Sequence, residues 1–169
     1  GVNIANDSDP MPYFTAPEAL PMEKMDAVIL THAHLDHAGM LPVLFRYGYR
    51  GPVFCTPPTR DMMLLLQSDY LKIGGTEGKR APYDMEDIRT CMRHVVDVEW
   101  GQTVDITPDV KMTFHNAGHI LGSSSVHLHV GDGKHNIVFS GDQKYEKSWL
   151  FDAANTRFPR CETLVIEST

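Results

Sequence analysis

The sequence predicts an α/β protein with a mixed sheet, and three observations carry that expectation. A short apolar run at 26–31, rich in β-branched residues, has the pattern of a strand buried on both faces. Stretches at 38–47, 60–73 and 85–94 place apolar residues at helical spacing. From Val95 onward the period shortens to two, with turn residues such as Gly131-Asp132-Gly133 between the runs. The 169 residues suffice for one domain with a substantial core, and a hydrophobic fraction of 42% with a mean hydropathy of −0.25 fits a soluble globular protein. No apolar run nears the roughly 18 residues that span a bilayer, and no signal peptide opens the chain. No membrane partner is expected, and the location is cytoplasmic.

The elements follow in order. Residues 1–25, punctuated by Pro10, Pro12, Pro17 and Pro21, read as an irregular surface segment. The strand 26–31 leads into a helix over Ala38–Tyr47, with Pro42 in its first turn and Gly48 at its C-cap. Asp36 and His37 should therefore sit at a helix N-terminus. Pro52–Thr56 is a second strand, stopped by Pro57-Pro58. Thr59 then caps a helix over Arg60–Ile73, whose apolar stripe is Met62, Met63, Leu65, Leu66 and Tyr70. Residues 74–80 form a glycine-bearing loop without the spacing of a phosphate loop. Asp84 with Asp87 makes a capping arrangement for a helix over Met85–His94. Val95–Trp100, Val110–Asn116, Ser124–Val130, Asn136–Ser140 and Thr163–Glu167 are strands of the second half.

The chemistry gathers in Thr31-His-Ala-His-Leu-Asp-His-Ala-Gly39, where His32, His34, Asp36 and His37 directly follow an apolar strand. Imidazole nitrogens and carboxylate oxygens at this density suit zinc, which takes such ligands at about 2.0–2.2 Å. Packing explains them poorly, because that many buried rings on one turn would compete for the same hydrogen-bond partners. His119, in Asn-Ala-Gly-His-Ile-Leu-Gly-Ser, and Asp142, in Val-Phe-Ser-Gly-Asp, follow the ends of other strands. Alone each is weak evidence. Together with 32–37 they place ligands at the ends of separate strands, as sheet proteins assemble sites. His127 and His129 alternate on one strand and read as a solvated sheet face, and His94, His115 and His135 receive no function. Cys55, Cys91 and Cys161 read as reduced, buried thiols. A formal charge of −7 argues against a self-sufficient nucleic-acid surface.

These residues resemble the metallo-β-lactamase superfamily, whose H-x-H-x-D-H signature is met by His32, His34, Asp36 and His37, with His119 and Asp142 in the places of later motifs. Thr-His-Ala-His-Leu-Asp-His-Ala-Gly-Met-Leu-Pro, Cys-Thr-Pro-Pro-Thr-Arg and His-Asn-Ala-Gly-His-Ile-Leu-Gly-Ser are similar to its β-CASP branch of nucleic-acid-processing enzymes. Within it they most resemble the archaeal branch related to the nuclease subunit of the cleavage and polyadenylation specificity factor. The ending Leu-Val-Ile-Glu-Ser-Thr resembles that branch's next motif, with Glu167 as its acidic residue.

The resemblance implies part of an αββα sandwich and a zinc-dependent ribonuclease, endo- or exonucleolytic, acting on single-stranded RNA in 3′-end processing or turnover. It implies two zinc ions in the intact protein. His32, His34, His119 and a bridging Asp142 hold the first; Asp36, His37 and the same Asp142 hold the second. Asp36, Asp142 and Glu167 take catalytic or supporting roles: Asp36 helps orient the attacking water, and Glu167 either holds a histidine from elsewhere or caps its strand end. Residues 1–169 are expected to be a fragment that starts just after the first-motif Asp and stops before the β-CASP insert. Such a piece would hold one zinc firmly and be inactive by itself. RNA-binding KH domains in archaeal relatives answer the charge objection, and the parent protein is a candidate homodimer. Two rival readings stand beside this one: a small-molecule hydrolase of the superfamily, such as a thioesterase or lactonase, and a non-catalytic scaffold subunit of an RNA-processing complex.

Overall fold

The computed structural model describes residues 21–76 and 81–168. The proline-punctuated segment up to residue 20 and loop residues 77–80 lie outside them. Two sheets and a set of helices stack in α–β–β order. The smaller sheet is parallel and joins β1 (Val28–Ile29), β2 (Val53–Cys55) and β3 (Val95–Asp97), with Val28 opposite Val53 and Val53 opposite Val95. The larger sheet runs β4 (Thr103–Thr107), β5 (Val110–Asn116), β6 (Ser124–Val130), β7 (His135–Phe139) and β8 (Thr163–Val165), antiparallel except for β8, which lies parallel to β7. The mixed α/β architecture is as the sequence predicts.

Phe54, Val98, Met112, Phe114 and Val126 pack between the two sheets. Ala33, Leu41, Phe45, Val53, Cys55 and Met63 fill the space between the smaller sheet and the helices. Alternation on β2 explains both layers: Phe54 points one way, Val53 and Cys55 the other. The helices are α1 (Leu35–Ala38), α2 (Leu41–Arg46), α3 (Pro57–Thr76) and α4 (Met85–Arg93). The capping box predicted at Asp84 and Asp87 is present, and Arg46 of α2 reaches both carboxylates at 2.7 Å.

Several expectations need correction. The helix predicted over 38–47 is two pieces, because the chain turns at Gly39-Met40 before Pro42 opens α2. Pro57 and Pro58 do not stop β2 short of a cap; they are the first residues of α3, where a missing N–H costs nothing. Thr59 is thus inside the helix, fully buried, with its hydroxyl donating to the Gly122 carbonyl at 3.1 Å. The buried residues of α3 are Thr59, Met63 and Gln67, while Leu65 is exposed. Val95–Asp97 joins the smaller sheet and not the second half, and β4 was not foreseen. Cys55 and Cys91 are buried, and their thiols are pushed up to about 12 by burial, but Cys161 is exposed.

The largest correction concerns the outer face of the larger sheet. His127 is buried, not solvated: its ring lies 4.2 Å from that of His129 and 5.7 Å from that of His115, with Phe158 over His115 and His127. Asn155 Nδ2 donates to His115 Nδ1 at 3.0 Å, so segment 141–162 covers this face without forming a helix. The Nε2 atoms of His115 and His127 are buried and have no partner among the described residues. Burial and the nearby His129 lower both imidazoles below their ordinary 6.5. The unfolded chain therefore binds more protons than the folded one once pH falls below about 6.5, and stability drops with falling pH until the folded pKa is passed. Urea midpoints should fall between pH 7.5 and pH 5, a window above the titration of carboxylates, and His127→Gln should flatten that fall. An unchanged slope in the variant would remove His127 from the account.

Candidate metal centre

The site forms where the ends of the two sheets meet. The Leu30 N–H continues the pairing of β1 by donating to the Phe54 carbonyl at 2.9 Å. The Thr31 carbonyl then accepts from the Ser124 N–H at 2.8 Å, tying the end of the smaller sheet to the start of β6. From there the chain leaves the sheet through His32 and Ala33, and His34 opens α1 in an extended conformation with φ −56° and ψ 146°. Asp36 stands in the first turn of α1 and His37 follows it, as expected. The one-turn helix thus points two potential ligands to one side while the strand exit supplies two more.

His119 arrives from the connection between β5 and β6. Asn116 Oδ1 accepts from the Gly118 N–H at 2.9 Å, and Ser123 Oγ accepts from the N–H groups of His119 and Ile120 at 3.1 Å each. The Gly122 carbonyl at the end of this turn accepts from Thr56 Oγ1 at 2.7 Å, which fixes the turn to the start of α3. Asp142 follows β7 through Gly141, whose φ is +58°.

The predicted residues converge. His34 Nδ1 lies 3.2 Å from His32 Nε2 and 3.1 Å from His119 Nε2. Asp142 Oδ2 is 3.7 Å from His32 Nε2 and 3.6 Å from His119 Nε2, while its Oδ1 is 3.3 Å from His37 Nε2. Asp36 Oδ2 is also 3.3 Å from His37 Nε2. His32, His34, His119 and Asp142 therefore make one donor group, and Asp36, His37 and Asp142 a second, each with its atoms within 4.8 Å of one another. Asp142 belongs to both, one oxygen to each.

These spacings fit a metal. Four ligands at about 2.0–2.1 Å in a tetrahedron lie roughly 3.3–3.4 Å apart along its edges, and the separations in the first group, 3.1 and 3.2 Å between imidazoles and 3.6 and 3.7 Å to the carboxylate, bracket that distance. Hydrogen bonding alone does not account for it, since His34 Nδ1 faces two imidazole nitrogens at once and a neutral ring carries one proton. His32 is fully buried, and burial, with His37, His34 and His119 beside it, pushes its pKa down to about 3, so it stays neutral with a lone pair available. Its Nδ1 lies 3.1 Å from Thr31 Oγ1, a partner that leaves Nε2 for the site. The second group is more open, with Asp36 47% and His37 32% exposed. Among the described residues these groups could hold a metal; the donor set of nitrogen and carboxylate oxygen suits zinc.

Glu167 stands beside the turn that carries Asp142. Its Oε1 accepts from the Gln143 N–H at 2.6 Å, and its own N–H donates to Ser140 Oγ at 3.0 Å. It thereby braces both sides of the turn that carries Asp142. Thr31 and Ser123 escaped the sequence reading. Both act through short hydrogen bonds that neither residue type nor spacing signals.

Residues 4–164 match the metallo-β-lactamase superfamily domain. The chain is 54% identical over 169 residues to a protein of Methanosarcina mazei named transcription termination factor FttA, and 55% identical over 169 residues to one of the same name from Methanocaldococcus jannaschii. Each comparison covers the whole chain but 26% of the relative, so the chain spans about a quarter of their length. A Thermococcus kodakarensis protein of that name is 52% identical over 176 residues. Among solved structures, a protein of unknown function from Enterococcus faecalis V583 superposes with a TM-score of 0.50 at 19% identity, over 70% of this chain and 25% of that one, a likeness of fold alone. With the motif of residues 32–37 built into this sandwich, the chain belongs to the metallo-β-lactamase superfamily.

Proposed function

We propose that this chain is the metal-binding part of a zinc-dependent ribonuclease that hydrolyses phosphodiester bonds in single-stranded RNA. One observation carries the reading: two donor groups share the carboxylate of Asp142, an arrangement that suits two-metal hydrolysis of a phosphodiester. Further support comes from the family and from relatives named as transcription termination factors, proteins that act where RNA is made. Residues 1–169 would then be one part of a larger catalytic unit. In that unit an RNA-binding surface outside this acidic piece supplies the phosphate contacts.

His32, His34, His119 and Asp142 would hold one zinc; Asp36, His37 and Asp142 would hold the other. Bound there, the ions supply Lewis-acid stabilisation of phosphate oxygens and lower the pKa of water. The protein's own groups set the geometry. Asp36, the most exposed of the set, offers a second oxygen that can accept a proton from an attacking water and aim it at phosphorus. Glu167 keeps the Asp142 turn in place through Gln143 and Ser140, a positioning role. The β-CASP-like motifs argue for RNA over a thioester or lactone.

The test uses the zinc-loaded full-length protein and end-labelled single-stranded RNA. Cleavage should appear and fall about 100-fold or more in Asp36→Asn, with RNA binding unchanged. Hydrolysis of a lactone or thioester without RNA cleavage would replace this reading with a small-molecule hydrolase. RNA binding without any hydrolysis would favour a scaffold.

A further inference from the structure

The buried side chains of α3 are Thr59, Met63 and Gln67, spaced four residues apart, so they form one stripe along the helix. A stripe that faces a core normally carries apolar side chains, and here two of the three are polar. Each of the two reaches a backbone carbonyl in a segment that bears metal ligands. Thr59 meets the Gly122 carbonyl, at the end of the turn that carries His119. Gln67 Nε2 donates to the Ala38 carbonyl at 2.8 Å, at the end of α1, the helix of Asp36 and His37. That contact orients the amide, because its oxygen in the place of Nε2 would set two acceptors against each other.

α1 is a single turn of four residues, far shorter than a helix that holds itself in water. The Ala38 and Gly39 N–H groups donate to the His34 and Leu35 carbonyls at 2.7 Å each. The Ala38 carbonyl stands where a longer helix would supply the next N–H, but the chain turns away at Gly39-Met40. The Gln67 amide takes that place from the neighbouring helix. Its own Oε1 is buried and has no partner among the described residues, and a buried amide oxygen without one is destabilising. A methionine would fill the same stripe without that oxygen, as Met63 does one turn earlier. What methionine lacks is the donor for Ala38. The residue at 67 thus answers the need of α1 and not that of the core. Ala38 directly follows His37, so the pose of this one turn decides where Asp36 and His37 point. The second donor group, with three donors to the first group's four and the greater exposure, depends on that pose most.

We propose that Gln67 is a positioning residue for the second donor group: by holding the Ala38 carbonyl it fixes the single turn of α1, and with it Asp36 and His37, against α3. The proposal rests on the two-metal reading of the site and adds a residue that lies outside both donor groups. Thr59, on the same stripe, ties the His119 turn to the same helix, so α3 sets the two ligand segments in register with each other.

The zinc-loaded full-length protein is titrated with a chromogenic chelator, which resolves a tightly and a weakly held ion. Gln67→Met should lower the affinity for the weakly held ion about 10-fold, the lower end of what an outer partner contributes, and leave the tightly held ion unchanged. Gln67→Leu, which also lacks the donor, should repeat the result. Cobalt(II) in place of the weakly held zinc reads the geometry directly, and its visible absorption should change in both variants. Met63→Leu alters the packing of the same stripe but removes no hydrogen bond, and it should leave both affinities and the cobalt spectrum as they are. Folded Gln67 variants with both affinities and the spectrum unchanged overturn the brace and leave the two-metal reading standing. Equal weakening of both ions makes Gln67 a packing residue and overturns the brace as well. An unsubstituted protein that holds the first ion and takes up no second sinks the two-metal reading, and the brace with it.

Discussion

Asp142→Ala should remove metal from both donor groups at once, whereas His119→Ala should empty only the first. The asymmetry follows from where the oxygens point, with Oδ2 toward His32 and His119 and Oδ1 toward His37. The first group has four donors and completes a tetrahedron by itself; the second has three and is more exposed. After exhaustive dialysis the unsubstituted chain should therefore retain about one tightly held zinc, measured by elemental analysis. His119→Ala should lose it, because the loss of a direct ligand costs far more than the 10- to 100-fold typical of an outer partner. Thr31→Val provides that outer comparison, since it removes only the group beside His32 Nδ1. A folded His119→Ala chain that keeps its zinc would show that the first group is not the site. Retention of that zinc in a folded Asp142→Ala chain would remove the carboxylate from the first group, and with zinc in excess the bridge is denied if Asp142→Ala still takes up as much metal as His119→Ala.

The part of this site that could be read from sequence is the part that is local. His32, His34, Asp36 and His37 lie so close together that strand exit and a single helical turn decide their geometry. His119 and Asp142 were legible because each follows an apolar strand and a glycine. Their meeting with His32 needs the larger sheet to bring β6 and β7 against Thr31. What pattern does not encode is partner choice. Val95–Asp97 has the alternation of a strand, but nothing in it says whether β2 or β4 will be its neighbour. His127 alternates like a solvent-facing residue, and it is buried because segment 141–162, remote in sequence, folds over it. The Pro57-Pro58 pair is ambiguous in the same way, since proline both ends strands and begins helices. The choice was made by Thr56 and Thr59, whose hydroxyls reach the Gly122 carbonyl beside the site.

Gly141→Ala should cost both stability and metal, and the two losses should travel together. Gly141 holds φ +58°, and a Cβ there would stand 2.9 Å from Ser124 O and 3.0 Å from Thr31 Cβ. The left-handed conformation alone costs a residue with a side chain about 1–2 kcal/mol. The two obstructing groups add to that because neither can give way cheaply. Ser124 is in the paired strand β6, and Thr31 is bonded to Ser124 and sits beside His32. Relief therefore has to come from moving Asp142 or the His32 segment, which is the geometry the first donor group depends on. A total near 1–3 kcal/mol corresponds to a fall in Tm of roughly 2–12 °C for a chain of this size. Gly133→Ala separates conformation from collision: its φ is +79°, but nothing lies within 4 Å of its Cβ position. That variant should lose the conformational part of the stability and keep its zinc. If Gly141→Ala also keeps its zinc, with a Tm no lower than that of Gly133→Ala, then the turn before Asp142 tolerates a side chain. The packing of Gly141 against Thr31 and Ser124 would then not be what holds the carboxylate in the site.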